Sequence, residues 1–356
     1  MHIGIPKEIK PLEGRIALTP AAAGELVRAG HALYVQADAG NASGYTDEDY
    51  RFAGATILPD AGALYGRAQL IVKVKEPIAA EYPLLRPDHV LFSYLHLAAN
   101  PDLARVLQAK RLTALAFETV ECDGKLPLLA PMSEIAGKLA VQIGATLLHA
   151  PQGGRGILLG GLVTAERGRV VVLGAGAAGG AACALAAALG ADVTVFARRP
   201  ESLARMRALG PNVSALRSSQ EVIAAALRGA DLLIGAVLIV GARAPWLVTR
   251  AMVQAMPRGA VIVDISVDQG GCIETTRPTD YSNPTYVVHG VTHFAVTNMP
   301  GAVPRTATQA LSAALLPYVQ RLARPEGTQD AELRGGINIQ DGKLIHPAVA
   351  TALDGS

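Results

Sequence analysis

The sequence predicts an α/β protein of two domains, each on a mostly parallel sheet, with the second domain inserted into the first. Three observations carry this. Short apolar, β-branched runs alternate with helical patterns along nearly the whole chain, the signature of βαβ units. The alternation breaks at a helical stretch from Pro131 (SEIAGKLAVQIGATLL) and the Gly-rich PQGGRGILLGG, then starts afresh. Beyond Arg305, the helical ATQALSAALLPYVQRLA and a polar tail follow neither series, so they are expected to pack back on the first domain. The expected boundaries are 1–128 with 303–356, and 129–302. A chain of 356 residues suits two domains at about 100–200 residues each.

In the first domain the pattern predicts a strand around Ile3, a helix near Ala21–Ala29, and a strand at Ala32–Gln36. Further strands follow at Leu70–Val74, Val90–Tyr94 and Leu112–Phe117. The second series has strands at Val170–Leu173, Val193–Phe196, Leu232–Val237, Ala260–Ile265 and Thr292–Val296.

Composition narrows the function classes. Charged residues are 17% and hydrophobic residues 50%, which excludes a disordered chain. The 32 basic against 30 acidic residues leave +2, too little to steer toward nucleic acid or an anionic membrane. A mean hydropathy of +0.29 raises the membrane question instead. The longest uncharged run, Val170 to Ala191, has the 22 residues a spanning helix needs. It holds ten Ala and five Gly, however, with its bulky residues gathered at one end before a Gly cluster. A strand, a tight turn and an Ala-rich helix fit that order better than one lipid-facing helix. The start, MHIGIPKEIK, shows no basic-then-apolar leader, so a cytoplasmic protein is expected. Cys122, Cys183 and Cys272 lack metal or CxxC spacing and read as core residues, so no metal is expected.

The run's Gly cluster carries Gly174, Gly176 and Gly179 in GxGxxG spacing. The first glycine allows the strand-to-helix turn, the second lets backbone approach a pyrophosphate, and the third lets helix and strand pack closely. The free N–H groups of the following helix then face the phosphates. Here the motif follows a β-branched strand, opens a helix and precedes a second strand, the context that makes it a Rossmann-like dinucleotide site. The end of that second strand discriminates between cofactors. An NAD site usually places Asp or Glu there to accept from the ribose 2′-OH. This chain has Ala197 followed by Arg198 and Arg199. Without the acid a 2′-phosphate meets no repulsion, and Arg can pair with it, so NADP is expected over NAD.

Three groups in the first domain suit chemistry beside a nicotinamide. His96, in VLFSYLHLAAN, lies just past a buried-looking strand, where open α/β sheets present ligands, and His is the usual acid/base near neutral pH. Lys75 follows the strand LIVKV, and Arg15 lies in EGRIALTP before a helix; either could hold a carboxylate. Each also reads as a structural His or a solvated surface charge. In the second domain AVIVDISVDQGG puts Asp268 after a strand and before a Gly pair, as a turn residue or as a carboxylate that orients water, ammonia or an imidazole. The segment TNMPGAVPRT has turn composition and could close over the cofactor.

Taken together, GIPKEIK, EGRIALTP, KVKEP, YLHLAA, LPLLAPMSEIAGKLA, GGRGILLGG, GAGAAG, AVLIVGARAP, VIVDISVDQGG and NMPGAVPRT resemble the alanine dehydrogenase family in order over nearly the whole chain. The resemblance implies NAD(P)-linked oxidative deamination of L-alanine to pyruvate and ammonium, and the reverse reaction. It implies that Arg15 and Lys75 hold the substrate, His96 is the general acid/base and Asp268 the second catalytic residue. Ser133, the Gly174–Gly179 loop with Ala178, Val237, Leu238, Asp268, Asn298 and Met299 match the family's cofactor-lining positions, and a homo-hexamer is implied. Three departures stand out: Ala197 where the family usually has Asp, LVTAERG after GILLGG, and a short C-terminal tail. Rival readings are another small L-amino acid as substrate, the NAD-binding subunit of a transhydrogenase, and a catalytically silent NADP-binding module.

Overall fold

The computed structural model describes residues 1–237 and 245–354. The chain forms two compact units, Met1–Met132 with Gly301–Ser356, and Ser133–Pro300.

The first unit opens with β1 (His2–Ile5), β2 (Ala32–Gln36), β3 (Thr56–Leu58), β4 (Leu70–Val72), β5 (Val90–Ser93) and β6 (Thr113–Ala116). These six pair in parallel in the order β6-β5-β4-β1-β2-β3. Their apolar residues are buried: Ile3, Ile5, Ile71, Val72, Leu91, Phe92 and Ala114 are all at 0% exposure, as expected for a parallel sheet covered on both faces. The helix predicted near Ala21–Ala29 runs Pro20–Arg28. It starts one residue earlier because Thr19 caps it, accepting the Ala22 N–H, and Pro20 supplies the preset first-turn φ.

The second unit holds β7 (Arg169–Leu173), β8 (Asp192–Ala197), β9 (Val213–Arg217), β10 (Leu232–Gly235), β11 (Val261–Asp264), β12 (Thr285–Val288) and β13 (Val291–Phe294). Their order is β12-β13-β11-β10-β7-β8-β9, parallel except for the hairpin β12-β13. The expected strands at Leu70–Val74 and Leu232–Val237 each end two residues sooner, because ladder pairing stops and the chain bends into loops. The polar tail, given no element beforehand, contributes β14 (Ile337–Gln340) and β15 (Lys343–Leu344), which add antiparallel to β6 in the first unit's eight-stranded sheet.

The uncharged run divides as a strand, a turn and a helix: β7 is followed by Gly174 at φ +102° and then the helix Ala177–Ala188. A Cβ on Gly174 would lie 2.3 Å from the Ala236 carbonyl oxygen, and one on Gly179 would lie 2.0 Å from that of Gly174. Only hydrogen fits there, so the helix seats directly on the strand end. Among the described residues no helix is long and apolar enough to cross a membrane.

Adding one methyl at this contact tests the packing. Gly179→Ala is expected to lower unfolding free energy by about 1–3 kcal/mol, the usual cost of overpacking, read as a lower urea midpoint at unchanged slope.

Candidate active site

In the first unit the candidate residues Arg15, Lys75 and His96 come after β1, β4 and β5, on the side where an open α/β sheet presents ligands. Arg15 follows β1 in a loop and is 2% exposed. It is therefore no solvated surface charge. A buried guanidinium needs a partner, and Glu13 supplies it: Nε donates to Glu13 Oε1 at 2.7 Å and Nη2 to Oε2 at 2.5 Å. Glu13 Oε1 also accepts the Arg15 main-chain N–H at 3.1 Å. Burial would lower the Arg15 pKa, but the Glu13 pair outweighs it and holds the guanidinium charged. On its other side Arg15 Nη1 lies 3.3 Å from the Met132 sulfur, a weak acceptor.

Lys75 lies three residues past β4, half-buried. Its main-chain N–H donates to Glu8 Oε1 at 3.2 Å, and that of Val74 to the same oxygen at 2.6 Å. Glu8 is buried, and burial pushes its carboxyl up to about 7 despite the nearby Lys73 ammonium. Lys73, 1% exposed, is bound at 2.6 Å and 2.8 Å to the two oxygens of Glu81.

His96 follows β5 and is half-buried with φ +48°, a left-handed conformation uncommon outside glycine, though histidine, asparagine and aspartate adopt it more often than other residues. Glu118 holds this turn, accepting the main-chain N–H of His96 at 2.6 Å and of Leu95 at 3.2 Å. The imidazole stacks on the Tyr94 ring, centroids 5.9 Å apart and 8° from parallel. The Tyr94 hydroxyl donates to the Leu128 carbonyl at 2.6 Å, and burial pushes its pKa well up, so it stays a neutral donor. Tyr94 and Arg15 also lie within electrostatic reach of each other. Arg15, Tyr94 and His96 thus form one cluster.

In the second unit the glycine turn leads into the helix Ala177–Ala188, whose N-cap Gly176 has no side chain to occupy the free N–H groups. A Cβ on Gly176 would meet nothing within 4 Å. The first and third glycines are thus required by the protein's own packing, whereas the second leaves room beside the helix N-terminus, a cradle that fits a pyrophosphate. Ala178 faces the helix that carries Ser133: a Cβ on Gly137 of that helix would lie 2.1 Å from the Ala178 carbonyl oxygen. Ala197 ends β8 and is buried at 8% exposure, while Arg198 and Arg199 are exposed beside it. A third arginine is anchored nearby: Arg205 Nη2 donates to the Ala175 carbonyl at 2.6 Å, inside the glycine turn. Sequence reading missed it.

Asp268 is exposed on the short 3-10 turn Ile265–Gln269 after β11. The turn is clasped from below by Asp264, fully buried, which accepts the Ser266 N–H at 3.0 Å and the Cys272 N–H at 3.2 Å. Burial raises Asp264 to about 6. Ser266 Oγ in turn accepts the Val237 N–H at 2.9 Å and ties this loop to the one after β10. Leu238 lies outside the described residues. Asn298 adopts φ +62°, and the buried Met299 accepts a hydrogen bond from the Tyr281 hydroxyl through its carbonyl at 2.9 Å. Among the described residues no cluster of His, Cys, Asp and Glu could hold a metal ion.

A glycine-turn nucleotide cradle in one unit and a buried, carboxylate-braced arginine beside a stacked histidine in the other define a two-unit α/β nucleotide-binding oxidoreductase. Residues 4–136 and 140–347 match the N- and C-terminal domains described as "Alanine dehydrogenase/PNT". The chain is 47% identical to the alanine dehydrogenase of Mycolicibacterium smegmatis over 361 residues, covering 99% of this chain and 97% of that protein. It is 46% identical to that of Bacillus subtilis over 359 residues, covering 99% and 95%. A solved L-alanine dehydrogenase superposes with TM-score 0.95 at 49% identity, covering 100% of this chain and 99% of that one. A transhydrogenase from Sinorhizobium meliloti gives 0.85 at 27% identity, covering 98% and 100%. The chain belongs to the alanine dehydrogenase/PNT family.

The Glu13–Arg15 pair is open to a direct test. Glu13→Ala leaves a buried guanidinium without its carboxylate and is expected to cost about 3–5 kcal/mol of unfolding free energy in chemical denaturation.

Proposed function

We propose that the protein catalyses the NAD(P)-linked oxidative deamination of L-alanine to pyruvate and ammonium, and its reversal. The observation that supports this best is the cluster at the strand ends of the first unit: Arg15 held charged by Glu13, with Tyr94 beside it and His96 stacked on that ring. It combines a fixed cation for a small carboxylate with a half-buried imidazole. The relatives at 46–47% identity, all named alanine dehydrogenase, point the same way.

Arg15, from its Met132 side, orients the substrate carboxylate. Lys75 lies against the oxygen that develops at Cα and stabilises charge there as it forms. A bound nicotinamide would supply the acceptor for the hydride that leaves Cα. Water then adds to the resulting iminium carbon while His96 takes its proton, and the same imidazole moves the proton that lets the carbinolamine release ammonia. Asp268 is the second catalytic carboxylate, kept in place by the Asp264 clasp beneath its turn. The Gly174–Gly179 turn would hold the pyrophosphate with main-chain N–H groups, and Ser133, Ala178, Val237, Asn298 and Met299 are the residues that would line the cofactor. NADP is the proposed partner. Ala197 presents no carboxylate to a ribose 2′-phosphate, and the exposed Arg198 and Arg199 offer positive charge.

His96→Ala is expected to lower kcat about 10²- to 10⁴-fold. A near-normal rate would remove His96 from the role. Activity on L-alanine in the purified protein separates this reading from a transhydrogenase, which exchanges hydride between dinucleotides and needs no amino acid.

For the cofactor, kcat/KM is expected to be higher with NADP than with NAD. Ala197→Asp should reverse the order by lowering kcat/KM for NADP about 10- to 100-fold, the worth of a charged hydrogen bond lost or opposed. A wild-type preference for NAD sinks the NADP assignment.

A further inference from the structure

Behind the substrate cluster lies a group of buried charges that the proposed mechanism does not use. It holds three carboxylates, Glu8, Glu13 and Glu81, and two cations, Lys73 and Arg15, each no more than 9% exposed. Glu13 is matched by Arg15, and Glu81 by Lys73. Glu8 is the odd carboxylate. Its Oε1 accepts the main-chain N–H groups of Val74 and Lys75, whereas its Oε2 is buried, receives no hydrogen bond, and lies 3.6 Å from Lys73 Nζ, beyond hydrogen-bond distance. The groups facing it are Lys73, Glu13, Glu81, Arg15 and the Tyr65 hydroxyl, which itself donates to Glu81. A buried carboxylate with one oxygen lacking a hydrogen bond, sharing its nearest cation with Glu81, is a group ready to take a proton.

The geometry points to Glu8 as a positioning residue for the substrate carboxylate: its main-chain bonds set the place of Lys75, and its charge sets how strongly the Arg15 pocket accepts an anion. This rests on the reading of Arg15 and Lys75 as the substrate's cations. Two chemical facts support it. The ligand's carboxylate brings a further negative charge to a cluster already one carboxylate in excess. Its cheapest neutralisation is a proton on Glu8, whose buried Oε2 receives no hydrogen bond and whose carboxyl burial pushes up to about 7.

The sign follows. An anion bound nearby raises the Glu8 pKa, so binding takes up protons around neutrality and weakens as pH rises through 7. Affinity changes up to about tenfold for each pH unit by which the ligand shifts Glu8. The side chain's two roles are separable. Glu8→Gln keeps an oxygen for the Val74 and Lys75 N–H groups but carries no charge, and so imitates the protonated state. Glu8→Ala removes both.

The probe is oxamate, an unreactive carboxylate of pyruvate's shape, bound to the full-length protein with saturating NADPH and, separately, NADH. Calorimetry in buffers of different ionisation enthalpy counts protons taken up. A His96→Ala background removes the imidazole from the count. With Glu8 intact, oxamate should bind with uptake of a fraction of a proton at pH 7 and several-fold more weakly at pH 8.5 than at pH 6. With Glu8→Gln, uptake should vanish, and affinity at pH 8.5 should rise to the pH 6 value. Glu8→Ala should weaken oxamate at every pH.

Binding without proton uptake when Glu8 is intact overturns the assignment while leaving the substrate site standing, and needs no substitution at position 8. Unchanged pH dependence in Glu8→Gln overturns it equally. Failure of oxamate to bind at any pH, in His96→Ala and in the native sequence alike, overturns the substrate-site reading and the Glu8 assignment with it.

Discussion

A guanidinium withdrawn from water has to be paired, and much of the first unit follows from pairing Arg15. Two bonds to Glu13 from the side chain and one from the main chain hold the loop after β1 in a single shape. Because removing either partner alone strands a buried charge, the pair fixes the position of the cation more firmly than a surface salt bridge could. Glu8, seven residues before Arg15 on the same stretch, holds the segment after β4, and Glu118 holds the turn after β5. Three carboxylates thus secure the three loops that carry Arg15, Lys75 and His96, each through main-chain N–H groups. The segments bearing the two cations and the imidazole are thus placed by acids bonded to their main chain.

The second unit solves its problem with absences of side chain. Gly174 and Gly179 bring the helix Ala177–Ala188 onto β7 at distances that exclude a methyl group, and Gly176 leaves space beside the helix start. The low aromatic content and abundant alanine belong to the same economy of volume: small residues let backbone approach backbone, and no lipid is needed to account for the apolar run.

Legibility in the sequence divided along the range of the forces involved. The glycine turn was readable because each glycine's steric requirement is local, and the central strands because burial on both faces leaves an unbroken apolar run. The strands not foreseen, β3, β9, β12, β14 and β15, lie at or next to sheet edges. Alternating exposure, as in β12 and β9, dilutes the apolar signal there. Arg15, Lys75 and His96 were found as residues, by position and by resemblance to a family, but what holds them was not. Glu13 stands two places from Arg15, yet nothing in the string EGR says that the side chains fold back on each other. Glu8 reaches Val74 across 66 positions, a contact only the parallel pairing of β1 with β4 creates. Arg205 was invisible for the same reason, since its partner is a main-chain oxygen 30 residues away.

The left-handed backbone at His96 has a further consequence. A side-chain-bearing residue held there costs on the order of 1 kcal/mol or more, which glycine would relieve and asparagine reduce. Any search that ranks replacements by folding stability alone will therefore favour glycine or asparagine at position 96 and discard the imidazole. The left-handed backbone is set against the stack of the imidazole on Tyr94, and thermal robustness at position 96 rests on that balance.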